Sequence, residues 1–223
     1  MQVLDHLHAF VWQSLTANNC NTYFIEGPTP ILIDPGHADA FGHVEKGLSS
    51  LGFSIDDIEL IMCTHGHPDH FESIIHFKGK QSLIAMNRYD WDMIGAVIRK
   101  MPSFSGTDPD DLAPDFFLEE GDLSVNGYTF TIIHVPGHSP GSVAVYWPEN
   151  HVLFTGDVIF KGGLGRTDLP GGNGRQLKQS ILRLKELDVD YLMPGHGEMI
   201  LDSNSVKQNF DVLERYGFAH LNG

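Results

Sequence analysis

Residues 63–70, CTHGHPDH, place three histidines and one aspartate within six positions, directly behind the apolar segment IELIM. Imidazole nitrogens and carboxylate oxygens are ligands of divalent metals. Consecutive ligands need a tight loop, because a regular helix or strand points neighbouring side chains apart. Gly66 and Pro68 supply such a turn, so we expect a loop after a strand with converging side chains. The candidate ligands here are His65, His67, Asp69 and His70.

Three further candidate metal ligands each follow an apolar, strand-like segment, and each of them has a glycine directly before it. His138 ends IIHVPGH, Asp157 ends HVLFTGD, and His196 ends YLMPGH. With the first cluster they make seven candidates, whereas a closed structural zinc site needs four ligands. The excess predicts two metal ions with open coordination positions, as in hydrolytic two-metal sites.

The elements that must position these residues follow the order strands, helix, strand, helix, and the order repeats in the second half. Helices with a single apolar stripe must cover sheets, so two stacked sheets with helices outside are expected, an α/β fold. Strands are predicted within 21–27, 30–36, 58–64, 82–86, 121–127, 128–135, 142–147, 151–157 and 189–197. Helices are predicted within 43–53 and 87–101, around Leu177, Ile181 and Leu184, and around Val206, Phe210 and Leu213. Loops are predicted at 102–120 and in the Gly-rich segment 160–174.

The four motifs THGHPDH, PGHSPGS, TGD and PGHG together resemble the metallo-β-lactamase superfamily in order and spacing across nearly the whole chain. The resemblance implies a four-layer αββα sandwich, a single domain over residues 1–223, with metals at one edge between the sheets. Asp34, in IDPG, matches a position that supports the ligands by hydrogen bonding, or it is a plain turn residue. His37 directly follows this turn; a location near the pocket is one interpretation of it, and no role is assigned to it. The implied ligands are His65, His67 and His138 for one metal, Asp69, His70 and His196 for the other, and Asp157 as the bridge.

Residues 156–173, GDVIFKGGLGRTDLPGGN, resemble the glyoxalase II-like branch, the hydroxyacylglutathione hydrolases, especially their short bacterial members. The related persulfide dioxygenases carry a similar GRTD. Two features depart from the pattern. Glu72 and Ser73 stand where many relatives have Gly-Gly. The chain after His196 is long enough for one helix only, so we expect no C-terminal glutathione-binding helical domain like that of full-length glyoxalase II.

The resemblance implies hydrolysis of a small anionic thioester, such as S-lactoylglutathione, by attack of a metal-bound hydroxide. Two divalent ions are expected, zinc first, with iron or manganese as alternatives. Asp69 and Asp157 are the expected catalytic residues, acting with that hydroxide. Arg166 contacts an anionic substrate group in one interpretation, and in the other it pairs with neighbours such as Asp168 to make the Gly-rich loop rigid.

Two other functions stay open. A mononuclear iron persulfide dioxygenase needs only His65, His138 and Asp157 on one metal. A metal-binding module without enzymatic activity would use the same ligands. The complete ligand set counts against it, because sequence drift would be expected to remove some ligands.

Composition narrows the class of protein. The formal net charge of −15 argues against nucleic acids and anionic membrane surfaces as partners. No apolar run reaches membrane-spanning length, and the N-terminus lacks a secretory pattern, so a cytoplasmic location is expected. Cys20 and Cys63 are not spaced as a metal or redox pair and are expected to be buried thiols.

Overall fold

The computed structural model describes residues 1–14, 16–98 and 112–221, which belong to two compact units, Met1–Leu118 and Glu119–Gly223. Most of the loop predicted at 102–120 lies outside the described residues. The single domain over the whole chain stays a prediction.

In its described part, the first unit forms one sheet of seven strands in chain order. The three pairings among the first four strands are antiparallel, and the three pairings from the fourth strand to the seventh are parallel. The strands are β1 Gln2–Leu4, β2 Leu7–Phe10, β3 Thr22–Ile25, β4 Ile31–Ile33, β5 Leu60–Met62, β6 Leu83–Met86 and β7 Phe116–Phe117. The helices are α1 Gly42–Ser50, α2 Pro68–Phe71 and α3 Arg88–Ile98.

The parallel strands β4 and β5 bring two chemically important segments to the same edge of this sheet. Every residue of both strands is buried, which is typical of parallel strands covered on both faces. Ile33 pairs with Met62 at their carboxyl ends. Asp34 follows one strand and the histidine cluster follows the other, so the polar side chains that follow these strands begin side by side.

The second unit forms a sheet of five strands and a small separate ribbon of two strands. The strands are β8 Gly121–Val125, β9 Tyr128–His134, β10 Val143–Trp147, β11 Val152–Gly156, β12 Ile159–Phe160, β13 Gly163–Leu164 and β14 Tyr191–Pro194. The sheet has the order β14-β11-β10-β9-β8, and β12 and β13 form the ribbon. Strands β11 and β14 are parallel, and the other neighbours in the sheet are antiparallel. The helices are α4 Gly174–Leu184 and α5 Ser203–Val212, and α5 continues into a π-helical turn, Leu213–Gly217.

Both helices of the second unit are amphipathic, as their sequences predict. All three stripe residues of α4, Leu177, Ile181 and Leu184, are buried in one hydrophobic cluster. The same cluster contains the buried stripe of α5. The Asn173 side chain accepts a hydrogen bond from the Gln176 N–H and thereby caps the first turn of α4.

Several short elements differ from the prediction. The sequence did not predict the hairpin of β1 and β2. The reason is that β2 is buried at all four positions and shows no alternation of apolar and polar residues. Strand β7 lies in the segment predicted as a loop, and the ribbon of β12 and β13 lies partly in the Gly-rich loop. Two- and three-residue strands are fixed by their partners, and a local pattern does not reveal them. No helix in the described part of the chain has the length and apolarity needed to cross a membrane.

Candidate metal centre

The first unit brings its four predicted ligands into one small region after β5. His65 and His67 lie in the turn, but Asp69 and His70 lie on the one-turn helix α2, so the prediction of a loop is wrong for these two. Pro68 occupies the first helical position, where its fixed φ favours a helix start. The turn before α2 and the single helical turn together let closely spaced side chains converge.

The distances between these side chains are short enough for shared metal binding. The ring centroid of His65 lies 4.8 Å from that of His67 and 4.0 Å from that of His70. One ligand atom of Asp69 and one of His70 lie within 4.8 Å of each other. His65, Asp69 and His70 are buried, and His67 is half-buried. The structure therefore gathers the four residues, and their role as ligands stays a prediction.

Asp34 is a buried hydrogen-bonding centre of the first unit. One carboxylate oxygen, Oδ1, accepts from the Thr64 N–H at 2.7 Å. The other, Oδ2, accepts from Thr64 Oγ1 at 2.7 Å and from His70 Nδ1 at 2.9 Å. Because a carboxylate only accepts, His70 carries its proton on Nδ1, and Nε2 has the lone pair that a metal requires. Asp34 thus contacts a predicted ligand directly, beyond what a plain turn residue would do.

Asp34 also holds a backbone conformation that few residues adopt. Its φ is 55°, in the left-handed region, which aspartate and asparagine tolerate better than most side chains. The carbonyl oxygen of Asp34 accepts from Thr22 Oγ1 at 2.7 Å. The surrounding bonds therefore fix both the backbone and the carboxylate of this residue.

Two supporting residues of the first unit were missed by sequence reasoning. The Asn18 amide donates to Asp69 Oδ2 at 2.6 Å. Asp90, fully buried at the start of α3, accepts from the Gly66 N–H at 2.7 Å and so fixes the turn between His65 and His67. Neither residue belongs to a local motif, and only the tertiary fold brings them to the cluster.

The second unit places its three predicted ligands at one edge of its sheet. Strand β9 runs parallel to β11 because both are antiparallel to β10, so the carboxyl ends of β9, β11 and β14 share that edge. His138 Nε2 lies 3.6 Å from Asp157 Oδ2, and His196 Nε2 lies 3.4 Å from the same oxygen. Two ligands that are each about 2.1 Å from one ion lie roughly 3–4 Å apart. One carboxylate oxygen facing two imidazoles is compatible with a bridging aspartate, and the roles of these three residues as ligands stay predictions.

The Gly-rich loop orients His138 through its backbone. His138 Nδ1 lies 2.8 Å from the Arg166 carbonyl oxygen, and since a carbonyl only accepts, Nδ1 carries the proton and Nε2 has the lone pair. His70 and His138 thus each have the tautomer that a metal ligand needs. The donor chemistry of both units therefore fits divalent metals.

Gly165 allows this close approach of the loop. A Cβ atom at Gly165 would lie 1.8 Å from the Asp157 carbonyl oxygen and 3.3 Å from His138 Cβ. We expect Gly165→Ala to lower the free energy of unfolding by about 3 kcal/mol, because the clash is with backbone and not with a flexible side chain. Chemical denaturation of the metal-free protein measures this loss.

Gly163→Ala is the matched control in the same loop. A Cβ atom there meets only Phe160, at 3.6 Å, an ordinary contact, so we expect a change within about 0.5 kcal/mol. Equal stability of the two variants would contradict the steric account of Gly165.

The Arg166 side chain forms a bidentate ion pair with Asp168. The Nε–Oδ1 distance is 2.8 Å and the Nη2–Oδ2 distance is 2.7 Å. The guanidinium lowers the pKa of the Asp168 carboxyl to about 2. Both side chains are exposed. This is the geometry of a loop made rigid by pairing, and contact of Arg166 with a substrate stays a prediction.

Both cysteines are buried and neither forms a disulfide, as predicted. Burial, and then the nearby negative Asp34, raise the pKa of the Cys63 thiol. The raised pKa favours the protonated form of the Cys63 thiol, which is expected of a buried structural cysteine.

The comparison with protein families identifies the class of this protein. Residues 15–196 match the model described as the metallo-beta-lactamase superfamily. The chain therefore belongs to that superfamily, whose members bind divalent metals and are mostly hydrolases. The predicted family is confirmed.

Individual relatives support this assignment. The chain is 32% identical to hydroxyacylglutathione hydrolase GloC of Haemophilus influenzae, over 80% of this chain and 85% of that protein. The solved structure of TTHA1623 in a di-iron-bound form is 30% identical, with a TM-score of 0.69, covering 88% of this chain and 92% of that one. The metallo-beta-lactamase family protein TTHA1429 of Thermus thermophilus has a TM-score of 0.78 at 24% identity, covering 98% and 81%. The α/β fold of the metallo-β-lactamase type is confirmed.

Proposed function

We propose that this protein is a metal-dependent thioester hydrolase that acts on a small anionic hydroxyacyl thioester of the S-lactoylglutathione type. The relative named hydroxyacylglutathione hydrolase, 32% identical over most of both chains, supports this substrate class. The observation that carries the proposal is the common tautomer of His70 and His138, fixed by Asp34 and by the Arg166 carbonyl. Side chains held in this way are typical of metal ligands.

In this proposal the seven candidates hold two divalent ions, as the family resemblance implies, with zinc as the expected metal. When bound, such a pair supplies a hydroxide near neutral pH and polarises the substrate carbonyl. The ligand sets are His65, His67 and His138 for one ion and Asp69, His70 and His196 for the other, with Asp157 shared.

The chain's own residues keep the donors in place during turnover. Asp34 and the Arg166 carbonyl hold the ligand imidazoles, and Asn18 holds Asp69 by donating to its carboxylate. Asp69 and Asp157, the expected catalytic residues, act as carboxylate ligands. A thiolate is a good leaving group, so a thioester needs little protonation help from the protein.

The test is hydrolysis of S-D-lactoylglutathione by zinc-loaded protein, followed by the loss of thioester absorbance. We expect turnover that a chelator stops and added zinc restores, and a loss of turnover in His67→Ala. Absence of turnover by a protein shown to hold two ions would contradict the proposal and would leave a metal-binding module without this activity.

Arg166→Ala tests whether the loop arginine contacts the substrate. If it binds an anionic group, we expect KM to rise roughly tenfold, since one charge-assisted hydrogen bond is lost, with unchanged metal content and Tm. Steady-state kinetics and metal analysis measure both quantities. An unchanged KM would assign Arg166 to its ion pair with Asp168 alone.

A mononuclear iron persulfide dioxygenase is the second candidate function. The di-iron-bound form of TTHA1623 shows that a protein 30% identical to this chain takes iron, which favours iron as the metal, although that form holds two ions and not one. Two histidines and one carboxylate suffice for such iron chemistry, and His65, His138 and Asp157 would supply them. Iron content of protein purified without added metal, with oxygen uptake on a persulfide substrate, distinguishes this function from thioester hydrolysis.

A further inference from the structure

His37 and Glu72 form a hydrogen-bonded pair beside the ligand-bearing segment of the first unit. His37 Nδ1 lies 3.0 Å from Glu72 Oε2, and the same oxygen accepts from the Ala38 N–H at 3.2 Å. Both side chains are partly exposed, 31% for His37 and 30% for Glu72.

Backbone hydrogen bonds attach the pair to the predicted ligand His70. The Gly36 N–H donates to the His70 carbonyl oxygen at 3.2 Å, and the Ser73 N–H donates to the Gly36 carbonyl oxygen at 2.8 Å. The His37 N–H donates to Asn19 Oδ1 at 2.8 Å. His37 is thus fixed at the surface of the segment that carries Asp69 and His70.

The carboxylate determines what His37 presents to a ligand. Because Glu72 only accepts, His37 Nδ1 carries the proton, and in this tautomer Nε2 is the hydrogen-bond acceptor. Among the residues that the structure describes, His37 Nε2 has no hydrogen-bond partner. The pair therefore offers an oriented, solvent-accessible acceptor, which is complementary to a hydroxyl donor.

We propose that His37, oriented by Glu72, accepts a hydrogen bond from the 2-hydroxyl group of the acyl part of the substrate. The pair then selects 2-hydroxyacyl thioesters over acyl thioesters that lack the hydroxyl, because only the hydroxyl substrate forms this hydrogen bond. This inference rests on the proposed thioester hydrolase and specifies its acyl specificity. His37 is in this sense a specificity-determining residue, and Glu72 is a positioning residue.

The experiment compares kcat/KM for S-D-lactoylglutathione and S-propionylglutathione, which differ by that hydroxyl. We expect His37→Ala to reduce the lactoyl-to-propionyl ratio roughly tenfold, the effect of one hydrogen bond, by slowing the lactoyl substrate alone. Glu72→Gly, which removes the carboxylate that orients His37, should reduce the ratio in the same direction. Metal content should stay unchanged in both variants.

His76→Ala is the matched control. His76 Nε2 already bonds the carbonyl oxygen of Ala38, the residue after His37, at 3.1 Å. The lactoyl-to-propionyl ratio should therefore not change in His76→Ala. An unchanged ratio in His37→Ala, or equal slowing of both substrates, would overturn the assignment while leaving the hydrolase intact.

Failure of the hydrolase itself is separated by a binding measurement. If metal-loaded protein hydrolyses neither thioester, the proposed function is wrong. The hydrogen bond from the 2-hydroxyl group to His37 is then tested through the ¹⁵N resonances of the His37 imidazole. D-lactate but not propionate should shift the His37 Nε2 signal, assigned with His37→Ala. Identical responses to the two acids would overturn the inference.

Discussion

Replacement of Asp34 by alanine is expected to lower the free energy of unfolding by roughly 3 kcal/mol or more and to weaken metal binding about 10–100-fold. Asp34 is 2% exposed, so the donors that it loses, the Thr64 N–H, Thr64 Oγ1 and His70 Nδ1, do not gain water easily. The His70 ring also loses the acceptor that fixes its tautomer. Chemical denaturation of the metal-free protein and competition with a chelator measure the two effects.

Two variants separate the causes of that loss. His151→Ala removes another non-glycine residue with left-handed φ, 52°, from a partly exposed turn, and should lose stability without losing metal affinity. Asp34→Asn keeps an acceptor for the Thr64 N–H but places an amide against His70, so metal affinity should fall more than stability. Normal metal affinity in both Asp34 variants would contradict the role assigned to this carboxylate.

Replacement of Asp157 by alanine should have the largest effect on turnover. We expect hydrolysis to fall by about 10³-fold or more, because the electrostatic stabilisation of the transition state is lost with the metals. The physical reason is that Asp157 Oδ2 faces both His138 Nε2 and His196 Nε2, so both proposed ions lose a ligand at once. Turnover, with the metal content measured by elemental analysis of the same sample, tests this expectation.

Asp188→Ala provides the control for Asp157. Asp188 is an exposed aspartate of the same unit that pairs with His151, and its removal should leave turnover and metal content unchanged. Retention of two ions per chain by Asp157→Ala would contradict a shared ligand.

The placement of the second unit's ligands could be predicted from the sequence. His138, Asp157 and His196 each follow a recognisable apolar strand, and parallel strands share an edge at their carboxyl ends. The family resemblance supplied the fold that joins these segments. Local pattern and motif order were sufficient to place these three residues, because each residue and the strand before it lie within a few positions of each other.

The supporting contacts could not be predicted, because they join residues far apart in sequence. The hydrogen bond from Asn18 to Asp69 spans 51 positions, and that from Gly66 to Asp90 spans 24. The helical turn of α2 was also missed, since Gly66 and Pro68 are equally compatible with a loop. The pairing of Glu72 with His37 depends on the tertiary position of the Asp34 turn.

The most direct test is a titration of the metal-free protein with zinc while hydrolysis of S-D-lactoylglutathione is measured at each step. We expect turnover to rise with bound metal and to reach a plateau at about two equivalents per chain. Full occupancy of two sites with no hydrolysis, or turnover that is independent of bound metal, would contradict a dinuclear thioester hydrolase.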